Sequence, residues 1–257
     1  MAVKRSSIIT IGNEILKGRT INTNFAKIGK VLTFSGYEVF RGFVVDDSLE
    51  SISWAIRSAL EVSDMVVTTG GLGPTFDDMT LKGVSSAIGR EMIYSEEAME
   101  QLKGWYSHLN LEMTPERKKM AYVPEGSEII ENPVGAAPGI LLRIDQKMLV
   151  SLPGVPAEME AMLDLVLDRI KNPGSYYLEK STKFYGIMES TFAPYVNEIM
   201  KRENGLVYIK SHPLNRENNF PGIEIEVSAR SESQERAEQT VDSIMNELTE
   251  VAKKLKS

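Results

Sequence analysis

Cysteine is absent from the 257 residues, and histidine occurs only at His108 and His212. Disulfides, thiolate zinc sites and thiol nucleophiles are thereby excluded, as is a histidine-rich metal centre. Any metal here must be a hard cation held by oxygens, magnesium in the first instance. Long apolar runs are missing too, and no stretch spans a bilayer, so no membrane contact is expected. The opening MAVKRSSIITIGNE turns polar after a few apolar residues, unlike a secretory leader, and a cytoplasmic protein is expected. There is no excess of positive charge either. Lysine and arginine number 29 against 36 acidic residues, a net charge of −7, which argues against a non-specific nucleic-acid binder. What remains is an ordinary globular composition, 42% hydrophobic and 25% charged, longer than one average domain.

The first 170 residues alternate strand and helix signals. Short β-branched or apolar runs at 6–12, 37–47 and 65–69 read as strands. Between and after them, 22–36, 48–64 and 77–89 read as helices. The first has N-cap candidates Asn22 and Thr23 and a stop at Gly36; the second has Ser48 as its N-cap. This β-α-β-α-β-α order predicts an α/β fold with a mostly parallel sheet covered by helices on both faces. Residues 95–120 read as helical. The runs 139–144 and 147–152 are separated by only Asp145 and Gln146, which demands a hairpin, and a helix with Pro156 in its first turn follows over 155–170. The turn-rich KNPGS at 171–175 is the expected boundary. Beyond it, β-α-β-β-α signals describe a small α+β module of about 80 residues.

In an open parallel sheet, ligands bind beyond the carboxyl ends of the strands. That rule gathers the polar segments on one rim: Glu14 after the first strand, Asp46 and Asp47 after the second, and Gly70–Gly73 after the third. If 147–152 runs parallel to these strands, PGVPAEM (153–159) joins them, and its hairpin partner brings NPVGAAPG (132–139). The stretch TTGGLGPTFDDMT (68–80) then reads as an anion loop. Gly70, Gly71 and Gly73 let backbone N–H groups approach a phosphate, and Thr75 and Thr80 add hydroxyl donors. Asp77 and Asp78 would repel that phosphate unless a divalent cation sits between carboxylate and phosphate oxygens, where it would also acidify a water. The bland readings stand beside this one. Acids in a first helical turn stabilise its dipole without any ligand, Asp46 and Asp47 could simply lead into the Ser48 cap, and the glycines could be turn residues.

Together GNEILKG with NTN, then VVDD, TTGGLGPTFDDMT, NPVGAAPG and LPGVPAEM resemble the molybdopterin-binding fold of the MoaB/MogA type, in particular the amino-terminal domain of CinA proteins. The later segments GLVYIKSHP and IEIEVSAR are similar to the KH-like domain that follows in that family. The resemblance implies a three-layer αβα domain over 1–172 and a KH-like α+β domain over 176–257. It implies a cytoplasmic homo-oligomer, a dimer in the first instance. Carried over position by position, it implies Asp46, Asp77 and Asp78 as catalytic acids, with Asp77 and Asp78 on the metal. The ligand-side set is Glu14, Asn24, Gly70, Gly71, Gly73, Thr75, Thr80, Asn132, Gly135, Gly139, Gly154, Pro156 and Glu158. The activity implied is metal-dependent hydrolysis of the pyrophosphate bond in ADP-ribose-like nucleotides. The alternatives are a pterin-binding protein of molybdenum-cofactor biosynthesis, as carrier or adenylyltransferase, and a domain that binds nucleotide without catalysis. The KH-like segment has no GxxG loop and carries 11 basic against 13 acidic residues, so a small molecule is expected as the partner and not RNA. The nicotinamide-nucleotide deamidase domain that many members append has no counterpart here, so that activity is not expected.

Overall fold

The computed structural model describes residues 3–214 and 222–256. The chain divides into two compact units. One comprises the residues up to Thr33 and Tyr37–Lys171; the other comprises Phe34–Gly36 and the residues from Asn172 onward.

The first unit opens with β1 (Arg5–Ile11), the short α1 (Asn13–Leu16), α2 (Thr23–Phe34), β2 (Glu38–Val45), α3 (Leu49–Val62), β3 (Met65–Thr69) and α4 (Thr80–Ile88). It continues through β4 (Met92–Tyr94), α5 (Glu96–His108), α6 (Pro115–Lys119), β5 (Tyr122–Pro124), β6 (Glu128–Ile130), β7 (Gly139–Ile144), β8 (Lys147–Leu152) and α7 (Pro156–Ile170). Six strands form one sheet in the order β2-β1-β3-β8-β7-β6. Contacts β1–β2, β1–β3 and β3–β8 are parallel, so 147–152 does run with the first three strands; β7 turns back antiparallel to it.

Alternation along the strands builds the three layers. Ile8, Met65, Val67 and Val150 point to one face and pack with Ile28 and Leu32 of α2 and Met159 and Leu163 of α7. Their neighbours Ile9, Val66 and Leu149 point to the other face, where Ile52 and Ile56 of α3 and Val84 of α4 meet them. Successive strand side chains face opposite ways, so a strand covered on both faces buries every residue, as β3 does with Met65, Val66 and Val67 and with Thr68 and Thr69. A further cluster sets Leu72 against Met99, Leu102 and Tyr106 of α5.

The structure departs locally from the periodicity in two places. The helical stretch expected over 95–120 breaks after α5, where Asn110 takes a left-handed φ of 53°, and Pro115 restarts it as α6 with Thr114 as N-cap. The helix expected from Asp77 begins only at Thr80, because Thr75 offers Asp77 and Asp78 local side-chain bonds that compete with helical turns.

The second unit contains β9 (Tyr176–Tyr185), α8 (Glu189–Glu203), β10 (Val207–Pro213), β11 (Gly222–Ser231) and α9 (Gln234–Lys256). Its strands form an antiparallel sheet, β10-β11-β9, with its own core of Phe192, Ile199, Ile225, Val227, Val241 and Leu248.

Candidate functional site

Four parallel strands deliver their carboxyl ends to one edge, and hydrogen bonds tie the segments that leave them. Gly12 N donates to the Val45 carbonyl (3.1 Å), and Gly70 N to the Leu152 carbonyl (3.0 Å). Asn24 Nδ2 donates to Thr69 Oγ1 and to the Gly154 carbonyl, both at 2.9 Å, while Thr69 Oγ1 donates to the Pro153 carbonyl (2.8 Å). Both partners of Nδ2 act as acceptors, which settles the amide orientation and leaves Asn24 Oδ1 buried without a partner among the described residues. Asn24 lines a small cavity of about 80 Å³ beside Gly70 and Gly154.

Gly70 is where the chain must be glycine. Its φ is +104°, and a Cβ there would lie 2.1 Å from the Ile11 carbonyl oxygen. Thr80 then fixes the loop from within: its hydroxyl donates to the Gly70 carbonyl (2.7 Å) and its N–H to that of Gly71 (3.1 Å). The N–H groups of Gly71, Leu72 and Gly73 enter no hydrogen bond among the described residues.

These segments enclose a cavity of about 620 Å³. Of the residues expected from sequence, Glu14, Gly70, Gly71, Gly73, Thr75, Asp77, Asp78, Gly154, Pro156 and Glu158 line it. Asp77 and Asp78 sit on the turn between β3 and α4, gathered by Thr75. Asp78 Oδ2 accepts from Thr75 N (2.8 Å) and Thr75 Oγ1 (2.7 Å), and Asp77 Oδ1 also contacts that hydroxyl. The Thr75 bond holds the Asp77 carboxyl below the usual carboxylate range. Gly73 gives Asp78 its seat, since a Cβ there would meet Asp78 Oδ2 at 2.7 Å.

The remaining expected residues lie off the cavity wall and support it. Asp46 does not line the cavity: its Oδ1 accepts from Ser48 N (3.1 Å) and Ser48 Oγ (2.7 Å) at the start of α3, and the neighbouring Asp47 lines the cavity. Asp47 Oδ2 accepts from Asn13 N (2.9 Å) and Nδ2 (2.7 Å), fastening the first loop to the second. Asn132 is buried and donates to Glu158 Oε2 (2.8 Å) and the Ala137 carbonyl (3.0 Å), aiming Glu158. Gly135 leaves room for the Glu158 carboxylate, which a Cβ would meet at 2.3 Å. Gly139 lies within β7 against Met162 and the Ser151 carbonyl, a packing position. Thr80 and Asn24, as described, hold loops together.

Lys119 was not legible in the sequence. Its ammonium donates to the carbonyls of Thr75 and Asp78 and pins the acidic turn from α6. Burial lowers its pKa, and Asp78 and Asp77 oppose that shift.

Whether this turn suits a cation can be judged from its donors. Thr75 Oγ1 has one proton and two carboxylate oxygens beside it, so one of those contacts is oxygen against oxygen with no hydrogen between. Asp78 Oδ1 has no partner among the described residues. A hard cation drawing on one or two carboxylates and completing its shell with ligand oxygens fits such a pair. Among the described residues no three acidic or imidazole side chains converge on one ion, so a cage built of protein alone does not fit.

A family model described as "Probable molybdopterin binding domain" matches residues 7–172. The chain is 49% identical over 251 residues to a protein of Caldivirga maquilingensis, covering 98% of each chain. It is 48% identical over 253 residues to a protein of Thermoplasma acidophilum, again covering 98% of both. Among solved structures, "the protein CinA with unknown function" from Thermoplasma acidophilum superposes with a TM-score of 0.63 at 53% identity, covering 66% of this chain and 100% of that one.

Proposed function

This chain belongs to the molybdopterin-binding-domain family, and from that premise we propose that its rim cavity binds a nucleotide or pterin phosphate and cleaves the pyrophosphate bond of an ADP-ribose-like nucleotide. One observation carries the reading: anion donors and cation ligands share a single turn. The uncommitted N–H groups of Gly71, Leu72 and Gly73 suit phosphate oxygens, and the Asp78 carboxylate rests against Gly73 itself. Asp77 and Asp78 would hold a divalent cation. Such an ion supplies positive charge between carboxylate and phosphate and makes a bound water more acidic.

The chain's own groups do the positioning. Thr75 holds the two carboxylates side by side, and Lys119 keeps the turn from drifting under their repulsion. Glu14, Asp47 and Glu158 offer acceptors to sugar hydroxyls along the cavity wall. Asn24 Oδ1, buried and unpartnered, suits a hydroxyl or amino hydrogen at the small neighbouring cavity. None of the lining residues is an activated nucleophile, so water is the attacking species in this reading.

A panel of ADP-ribose, NAD, FAD and diadenosine phosphates, assayed with several divalent cations, tests the activity. We expect turnover of at least one compound, dependent on the cation, and a loss of about 100-fold or more in Asp78→Asn. Unchanged turnover in that variant would remove the acidic turn from the chemistry.

The second reading is a pterin-phosphate binder without hydrolysis, favoured by the description of the family itself. Titrating a pterin phosphate and ADP-ribose side by side separates the two, because tight pterin binding with no nucleotide cleaved selects the second.

A further inference from the structure

The loop at 71–78 is a wall between two spaces. Behind it lies a second cavity of about 470 Å³, bounded by Leu81 and Lys82 of α4, by Met92, by Lys118 and Lys119 of α6, and by Tyr122. Gly71, Leu72, Gly73, Asp78 and Met120 line both cavities, so a group held by the glycine N–H donors borders each of them.

Their charges are opposite. The rim cavity has Glu14, Asp47, Asp77, Asp78 and Glu158 on its wall and neither lysine nor arginine. The second cavity has three lysines and, of the acids, only the shared Asp78. Lys119 is engaged with the Thr75 and Asp78 carbonyls, but the side chains of Lys82 and Lys118 are exposed and make no hydrogen bond or ion pair among the described residues. Three ammonium groups around one pocket repel one another. An anion relieves that repulsion. The rest of the wall, from Leu81, Met92, Met120 and Tyr122, is apolar or aromatic and suits a flat heterocycle.

We propose that this lysine-walled cavity is the second half of the ligand site, so that the ligand is a two-headed nucleotide whose diphosphate crosses the 71–73 backbone. The base and its adjoining phosphate lie against Leu81, Tyr122, Lys82 and Lys118. The other head, a sugar rich in hydroxyl donors, lies among the acids of the rim. The inference rests on the nucleotide reading above and adds the size and polarity of the substrate. A one-headed pterin phosphate would fill only one of the two spaces.

The test is calorimetry in magnesium with two probes, the uncleavable α,β-methylene analogue of ADP-ribose and ribose 5-phosphate. They are titrated into the wild-type chain and into a Lys82→Ala, Lys118→Ala double variant. Neither lysine has a described side-chain partner, and thermal melts check that the variant folds. We expect the analogue to bind the variant about tenfold or more weakly, with ribose 5-phosphate affinity unchanged. Equal weakening of both probes, or of neither, would overturn the two-cavity site while leaving the rim reading in place. If the wild-type chain binds neither probe, the nucleotide reading itself fails and this inference goes with it.

Discussion

Asp46 and Asp47 are adjacent and do different work. They follow β2, and Asp47 stands at a bend, so that only Asp47 reaches the cavity. Asp46 bonds to Ser48, and that hydrogen bond is the largest cause of its lowered pKa. A carboxylate whose folded pKa is depressed adds stability that is fully present above the unfolded value, near 3.8, and is lost as pH falls through the folded value below it. Urea unfolding of the wild type and Asp46→Asn is therefore expected to differ at pH 6 and to converge at pH 2–3. The same variant should retain its affinity for ADP-ribose. Asp47→Ala should weaken that affinity, because it removes a wall acceptor and frees Asn13.

At the scale of elements, the β7–β8 hairpin has a simple weakness. Two residues connect the strands, and Asp145, the first of them, holds a φ of +53°. Non-glycine residues are disfavoured there, and hairpin turns of this length take glycine at that position when it must be left-handed. Asp145→Gly relieves about 1–2 kcal/mol of left-handed strain and gives back about 0.5–1 kcal/mol as added entropy of the unfolded chain, so the sheet should gain about 0.5–1 kcal/mol net. In a thermal melt that corresponds to a rise of roughly 1–4 °C, and a fall would refute the account. Two of the helices near the site, α3 and α5, are capped by serine side chains. Ser48 and Ser95 accept from Ser51 N and Ala98 N (both 3.2 Å) at the starts of α3 and α5.

On the scale of the whole molecule, two units each bury a separate hydrophobic core. Both tryptophans, Trp54 and Trp105, belong to the unit that holds the cavity. Tryptophan fluorescence thus follows that unit alone, while far-UV circular dichroism follows both. In denaturant the two signals should fall at different midpoints. A saturating ligand at a hundred times its Kd should stabilise the fluorescence transition by about 2.7 kcal/mol and shift only the matching part of the circular dichroism change. Coincident transitions that shift together would show instead that the two cores unfold as one. Among the described residues no helix is long and apolar enough to cross a membrane.

Much of this was legible in the amino-acid order. Apolar runs with helical stretches between them specified the parallel strands and the layers on either face, and a two-residue gap specified the hairpin. The rule that ligands meet strand ends places Glu14, Gly70 and Gly154 on one rim from the sequence alone. These features are local or topological, and periodicity and turn chemistry encode them directly. Tertiary structure decided the rest. Asp47 faces the cavity in place of Asp46, Asn132 aims Glu158 from 26 positions away, and Lys119 reaches back 44 positions to hold Thr75. Side-chain direction and contact over such distances depend on how layers pack, which no short window of sequence contains.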